Sequence, residues 1–362
     1  MYKLPLFCLI VLLLYNCQKR NSSLDLKTDV KYFSIESTKL IDGERLHLSD
    51  SLGMPEEIKI VNFKDSSDVL ALVSDITNIP PLHYVNLTKD KYISKIGREG
   101  RGPGEFLSVG SIYVTNGGEA LVLGRKNLRL TKINLRNREH IENLYMSEPE
   151  IINLEYNGLP FDIFPLEDGN FAAIGLQRIR DNKNFAILDS SGNQSKLIGK
   201  LPSFDPSIPP NVHQLAWRSR ATSNKEGNKF AVGYYNVDLI QLFDYLGEPH
   251  LAIRGPRDDD LKYSVENARL SLDEKTIRAY IDLTSTQDHF YVLYSGRSIK
   301  QPNNNFGNHV FVFDWEGNFV RAYELDKYAF RIDVDSKNNV LYTIVPESLE
   351  PGIYKYELNN FK

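Results

Sequence analysis

Three stretches decide the fold: Phe185-Ala186-Ile187-Leu188-Asp189-Ser190-Ser191-Gly192, Leu239-Ile240-Gln241-Leu242-Phe243-Asp244-Tyr245-Leu246-Gly247 and Val310-Phe311-Val312-Phe313-Asp314-Trp315-Glu316-Gly317. Each is a short apolar run closed by an aspartate and then a glycine. That pattern reads as a strand leading into the tight turn of a hairpin. Looser copies stand at Leu82 to Leu87, Leu128 to Asn134 and Ile353 to Leu358. The copies recur about every 45–70 residues, the range expected for the blades of a radial repeat.

A second turn lies upstream of every copy, at Lys64 to Ser67, Asn116 to Gly118, Glu167 to Asn170, Lys225 to Asn228, Ser285 to Asp288 and Ser336 to Asn339. Two hairpins per repeat make a four-stranded antiparallel blade, and blades set around an axis bury one another's faces. The chain is therefore expected to be all-β, a six-bladed β-propeller over residues 31–362. The last repeat ends without an outer strand, so the ring must be closed by an N-terminal strand, for which Lys31 to Ile35 is the candidate. Only Asp258 to Ile281 carries an apolar spacing that fits a helix, and a small lid helix is expected there.

One loop is more specific than the rest. Ile96-Gly97-Arg98-Glu99-Gly100-Arg101-Gly102-Pro103-Gly104-Glu105-Phe106 holds four glycines, but the following stretch reads as a strand, so it is neither a P-loop nor a dinucleotide fingerprint. Its glycines suit a chain turning from the outer edge of one blade to the axis of the next, with Phe106 plugging the seam. A weaker echo is Ile253-Arg254-Gly255-Pro256-Arg257. The run Gly97, Gly100, Gly102, Pro103, Gly104, Glu105, Phe106 resembles the inter-blade segment of NHL-like six-bladed β-propeller lipoproteins of the Bacteroidetes type. The resemblance implies a propeller fold and a surface address, and no single activity.

The N-terminus carries an address of its own. Met1-Tyr2-Lys3 precedes an apolar run to Tyr15 that is too short to span a bilayer and fits a signal peptide, expected over residues 1–16. Leu13-Leu14-Tyr15-Asn16-Cys17 resembles a bacterial lipobox, which implies that Cys17 carries lipid and that residues 17–30 form a polar tether. The membrane is then a partner through Cys17, with the protein on the outer membrane, facing the periplasm or the cell surface. Cys8, the other cysteine, falls in the discarded segment. Lys plus Arg number 43 against 47 Asp plus Glu, so no basic excess points to nucleic acid. Twenty Tyr and 18 Phe against 3 Met lean toward strands.

Strand direction sorts the loops by face. The two hairpin turns of each blade share one face and are short, while the longer connections collect on the other, where function is expected. The second strands end on that long-loop face at Asp75, Arg125, Arg178, Tyr234, Tyr235, Arg297 and Glu347. Arg125, Arg178 and Arg297 are therefore candidates to converge on the channel mouth and clasp an anion, with pairing to loop acids such as Glu99 or Asp181 as the other reading. Trp217 and Arg218 are candidates for a stacking platform, and Tyr234 completes the ligand-binding set. Asp258-Asp259-Asp260 reads either as a solvated acid run or as a cation site, and the seven scattered histidines show no zinc spacing. No catalytic residue, metal or cofactor is assigned. The expected function is a non-catalytic module binding a glycan, peptide or protein. The alternative is a calcium-dependent propeller enzyme of lactonase, lyase or sugar-modifying type. Three carboxylates or amides meeting at one point would favour the enzyme, arginines and aromatics the binding module.

Overall fold

The deciding runs form the third strands of their blades. In the computed structural model, which describes residues 24, 26, 28–177, 183, 185–203, 206–224, 226–267 and 269–358, Phe185–Leu188, Leu239–Asp244 and Gly307–Asp314 each pair on both sides with antiparallel neighbours. Their closing aspartates do the turning. Asp314 Oδ1 accepts from the backbone N–H groups of Glu316 (3.1 Å) and Asn318 (2.8 Å), and Asp189 repeats this with Ser191 and Asn193, both at 2.9 Å. Gly192, Gly247 and Gly317 follow at φ of 90°, 83° and 78°, a region that a side chain would strain.

Six sheets result, and their inner strands are Pro55–Asn62, Ile112–Val114, Gly158–Pro165, Ser219–Ser223, Ile277–Ser285 and Arg331–Asp335, for blades 1 to 6. Each touches the inner strand of the next blade, and the sixth touches the first. The chain is a six-bladed propeller with four-stranded blades. A buried apolar cluster fills every seam between blades, which is where the phenylalanines go. Phe230 and Phe243 stack at 5.0 Å, and Phe185 meets Phe243 edge-on at 5.4 Å. Such offset and edge contacts add to the burial itself.

The ring is closed by an N-terminal strand, but not by Lys31 to Ile35. Glu44–Arg45 lies antiparallel to Gly352–Glu357 and supplies the outer strand of blade 6. Asp29–Tyr32 instead runs parallel to Pro249–Arg254 on the edge of blade 4, and Lys39–Ile41 parallel to Phe319–Ala329 on blade 5. The segment before blade 1 thus follows the outer edges of blades 4, 5 and 6 in turn. A closing strand of two polar residues leaves no alternation to read, whereas Phe33 carries an apolar signal because it packs on Phe311, Phe313 and Phe319. Leu24 is buried against the cluster of blades 3 and 4. The expected signal peptide and Cys17 lie outside the described residues.

The lid helix is absent from Asp258 to Ile281. A hairpin, Tyr263–Glu266 with Arg269–Leu272, leads instead into the inner strand of blade 5, with Asn267 at φ 51° supplying its turn. The glycine-rich loop joins blades 1 and 2 as expected. Phe106 is buried in their shared cluster. Arg129 ties the loop down by donating from Nη1 to the carbonyl of Arg101 (2.6 Å) and from Nη2 to those of Gly102 (2.7 Å) and Glu105 (2.5 Å). Gly104, at φ 68°, passes so close to Leu144 that a Cβ would stand 2.7 Å from its carbonyl.

Candidate functional site

Inner strands point alternate side chains at the axis, and this chain fills that space with charge. Arg220 of blade 4 meets Asp162 of blade 3 at 3.0 Å, Asp282 of blade 5 at 3.3 Å and Glu57 of blade 1 at 3.5 Å. Arg331 of blade 6 donates from Nε to Glu57 at 3.0 Å, and Lys59 lies 3.8 Å from Asp333. The acids also staple neighbouring blades. Asp162 Oδ2 accepts from Ala221 N–H (2.9 Å), Asp282 Oδ2 from Ile332 N–H (2.9 Å) and Asp333 Oδ2 from Ile60 N–H (2.6 Å). Burial pushes the Asp282 carboxyl up to about 6 and raises Asp162, with Arg220 opposing both. Burial would raise Glu57 too, but Arg331, Arg220 and Lys59 outweigh it and hold it down.

Three carboxylates therefore do converge, but on the guanidinium of Arg220. Beside them the channel leaves a cavity of only about 30 Å³, room for a water or two. A larger ligand does not fit beside this cluster.

The long-loop mouth is cationic on one side. Arg218 immediately precedes the inner strand of blade 4, Arg278 is near the start of that of blade 5, and Arg331 starts that of blade 6. The Arg218 guanidinium lies over the rings of Phe161 (5.1 Å) and Tyr235 (5.0 Å), and Arg278 also lies over Tyr235 at 5.0 Å. Arg278 Nη1 donates to Asn236 Oδ1. A cavity of about 590 Å³ opens here, lined by Arg218, Tyr235, Asn236, Arg269, Leu270 and Arg278 among others. The other side is apolar. Met54, Ile76, Phe306, Phe330 and Pro346 line about 210 Å³ between blades 1 and 6. Contacts join the two sides: Tyr235 OH donates to Asn305 Oδ1 (2.9 Å), Phe306 packs on Phe330 at 6.4 Å, and Arg331 lies over Phe330 at 5.4 Å.

Of the residues singled out from sequence, Arg218 and Tyr235 stand at this mouth. Arg297 pairs across the hairpin from Arg278, one strand further from the axis, where it donates to Asn308 (3.2 Å) and Tyr328 OH (2.9 Å) and covers the Tyr328 ring. Arg125 lines a separate cavity of about 390 Å³ between blades 1 and 2, together with Asp75 and Glu99. Burial would raise the Asp75 carboxyl, but donors from Asn78, Gly53 and Thr77 bring it down to about 2. Trp217 is buried edge-on against Tyr234 at 5.7 Å, and buried Tyr234 donates to Gln241 Oε1 at 2.6 Å. Neither ring has a face open to a ligand. Arg178 lies outside the described residues. Asp258 and Asp260 pair with Arg254 (2.7 and 3.4 Å), and Asp259 with Arg257 (3.1 Å), so the acid run is neutralised by nearby arginines. Glu347 lines the apolar cavity. Sequence reasoning missed Arg278, Arg331 and the apolar side. The signal was available in the inner-strand starts, which the same face rule places nearest the axis.

A family described as TolB-like 6-blade propeller-like matches residues 43–337. Among solved structures, the chain is similar to a member of the DUF4221 family from Bacteroides vulgatus, at 11% identity and TM-score 0.55, with 88% of this chain and 96% of that one covered. It is similar also to a Bacteroides fragilis protein described as exported, at 13% identity and TM-score 0.52, with 91% and 99% covered. These likenesses show the fold. No curated protein matches the chain.

Proposed function

Because the chain belongs to the TolB-like six-bladed propeller family, we propose that it is a non-catalytic binding module of the cell envelope that takes its ligand at the long-loop mouth. The carrying observation is the two-sided mouth over a plugged channel, with arginines and Tyr235 facing a cavity of about 590 Å³ and an apolar cavity beside it. These groups hold and orient a ligand. The exported Bacteroides fragilis neighbour supports an envelope address. The finer placing, as an NHL-like lipoprotein of the outer membrane, rests on the glycine-rich crossover and on Cys17.

Native mass spectrometry of the purified chain against defined glycans, peptides and metabolites tests the reading. A one-to-one complex with ligand of unchanged mass is expected, and it should be weakened in Tyr235→Ala. A product mass would overturn the non-catalytic assignment, and the lack of any complex would overturn binding. For the anchor, metabolic labelling with a fatty acid should mark the chain and send it to the membrane fraction, and both should be lost in Cys17→Ala. An unlabelled wild type would end the lipoprotein assignment.

A further inference from the structure

The cations at the axis divide into two kinds. Arg220, Arg331 and Lys59 face Glu57, Asp162, Asp282 and Asp333. Arg218 and Arg278 have no carboxylate partner among the described residues. The nearest acid run does not serve them, since Asp258, Asp259 and Asp260 are taken by Arg254 and Arg257. Among the described residues, the Arg278 side chain makes its one hydrogen bond to a neutral amide, and its Nε is buried without a partner.

Crowding disfavours the charged forms of these cations, though water still reaches them. Arg218 is exposed and Arg278 half-buried. The partial loss of water lowers the pKa of both guanidinia, Tyr235 opposes this, and the positive charges of Arg220, Arg331 and Arg278 lower Arg218 further. A fold that keeps such groups crowded and unneutralised has left a place for negative charge. The aromatic contacts make the place a built one. The rings of Tyr235 and Phe161 hold the guanidinia in place. With Arg278 Nη1 on Asn236 and its Nε buried, the donors left for an oxyanion are the N–H groups of Arg218 and Nη2 of Arg278.

We infer that Arg218 and Arg278 form an oxyanion site for a small organic acid, with the carboxylate, sulfate or phosphate between the two guanidinia and the ligand's apolar flank against Leu270, Leu272 and Ile299. These three side chains line the same cavity, with Arg269 as a further cation. The site deepens the binding-module reading and rests on it. It uses other arginines than the second-strand ends do, and of those Arg297 is already occupied by Asn308 and Tyr328.

Isothermal titration of the purified full chain tests it, using a galacturonate trisaccharide, a sulfated disaccharide, a phosphorylated sugar and, as control, a neutral trisaccharide of matched size. At least one acidic probe is expected to bind, and which of the three binds identifies the oxyanion. Its affinity should fall as salt rises. Arg218→Gln and Arg278→Gln should each weaken binding about tenfold, Arg218→Lys less. Arg136→Gln on the opposite face, where Arg136 pairs with Asp65, should leave it unchanged. Melting temperature and circular dichroism establish that the variants fold. The site is overturned if a folded double variant keeps the affinity, or if the neutral probe binds as well as the acids. If no acid binds while a neutral ligand is found by mass spectrometry, the oxyanion site fails and the binding module stands. If nothing binds, both fail.

Discussion

Arg220→Met is expected to destabilise the propeller by about 4 kcal/mol at pH 7.5, the cost of removing one partner from a buried ion cluster. Wild-type Arg220 lies within 3.5 Å of Glu57, Asp162 and Asp282. Methionine fills much of the space but leaves three carboxylates from three blades facing one another. In the folded variant their pKa values must climb above those of wild type, where Asp282 already stands at about 6 and Asp162 is raised. The unfolded chain releases those protons near pH 4. Folding of the variant therefore takes up protons, and its stability is present at low pH and lost as pH rises through the raised values. Urea denaturation should show a deficit that shrinks markedly between pH 7.5 and pH 5. An equal deficit at both pH values, or one under about 1 kcal/mol, would mean that the cluster does not hold the ring together. The same argument explains why a propeller with carboxylates meeting in its channel need not bind a cation there, since Arg220 is that cation.

What could be read in advance follows from how local each signal is. The turns were legible because an Asp such as Asp314 and a Gly such as Gly317 act within one hairpin. Six blades followed from counting them. Closure was legible as a need, since the sixth blade lacked an outer strand, but Glu44–Arg45 has no periodicity of its own and is a strand only because Gly352–Glu357 lies beside it. The Asp258 to Ile281 stretch failed for the same reason, its apolar residues serving a hairpin that packs on the helix Pro210–Ala216. At the mouth the right face and residue type were readable, and the error was one strand. Arg297 and Arg278 are paired across one hairpin, and distance from the axis separates the charge that faces the mouth from the one that packs against Tyr328.

Asp238→Asn should stabilise the protein above pH 7, by on the order of 4 kcal/mol, and change little near pH 4. Asp238 connects the second and third strands of blade 4 and is wholly buried. Its Oδ2 accepts from Arg257 N–H at 2.8 Å and from Tyr294 OH at 3.3 Å, while Oδ1 is buried with no hydrogen-bond partner among the described residues. Burial pushes its pKa up to about 7, with Asp259 adding to the rise and Arg257 and the two donors opposing it. The unfolded value is near 4, so between pH 4 and 7 the folded state holds a proton that the unfolded state has lost. The stabilisation is complete below about pH 4 and disappears as pH rises through about 7. Asparagine keeps an acceptor for Arg257 N–H, places a donor where the acid carries its proton, and cannot ionise. The two unfolding curves should therefore agree near pH 4 and separate steadily toward pH 8, with the variant the more stable. Because Asp282 and Asp162 titrate in both proteins, the difference between the curves isolates Asp238. Curves that stay parallel would place the Asp238 pKa near its ordinary value. Asp238 also fastens Arg257, on the crossover that carries Arg254 and the acid run from blade 4 toward blade 5. Ionising Asp238 strengthens its bond from Arg257 N–H, the donor that opposes the rise in pKa. Beyond the intrinsic rise, amide exchange at Arg257 above pH 7 should therefore accelerate only as far as global stability falls in wild type, and not in Asp238→Asn.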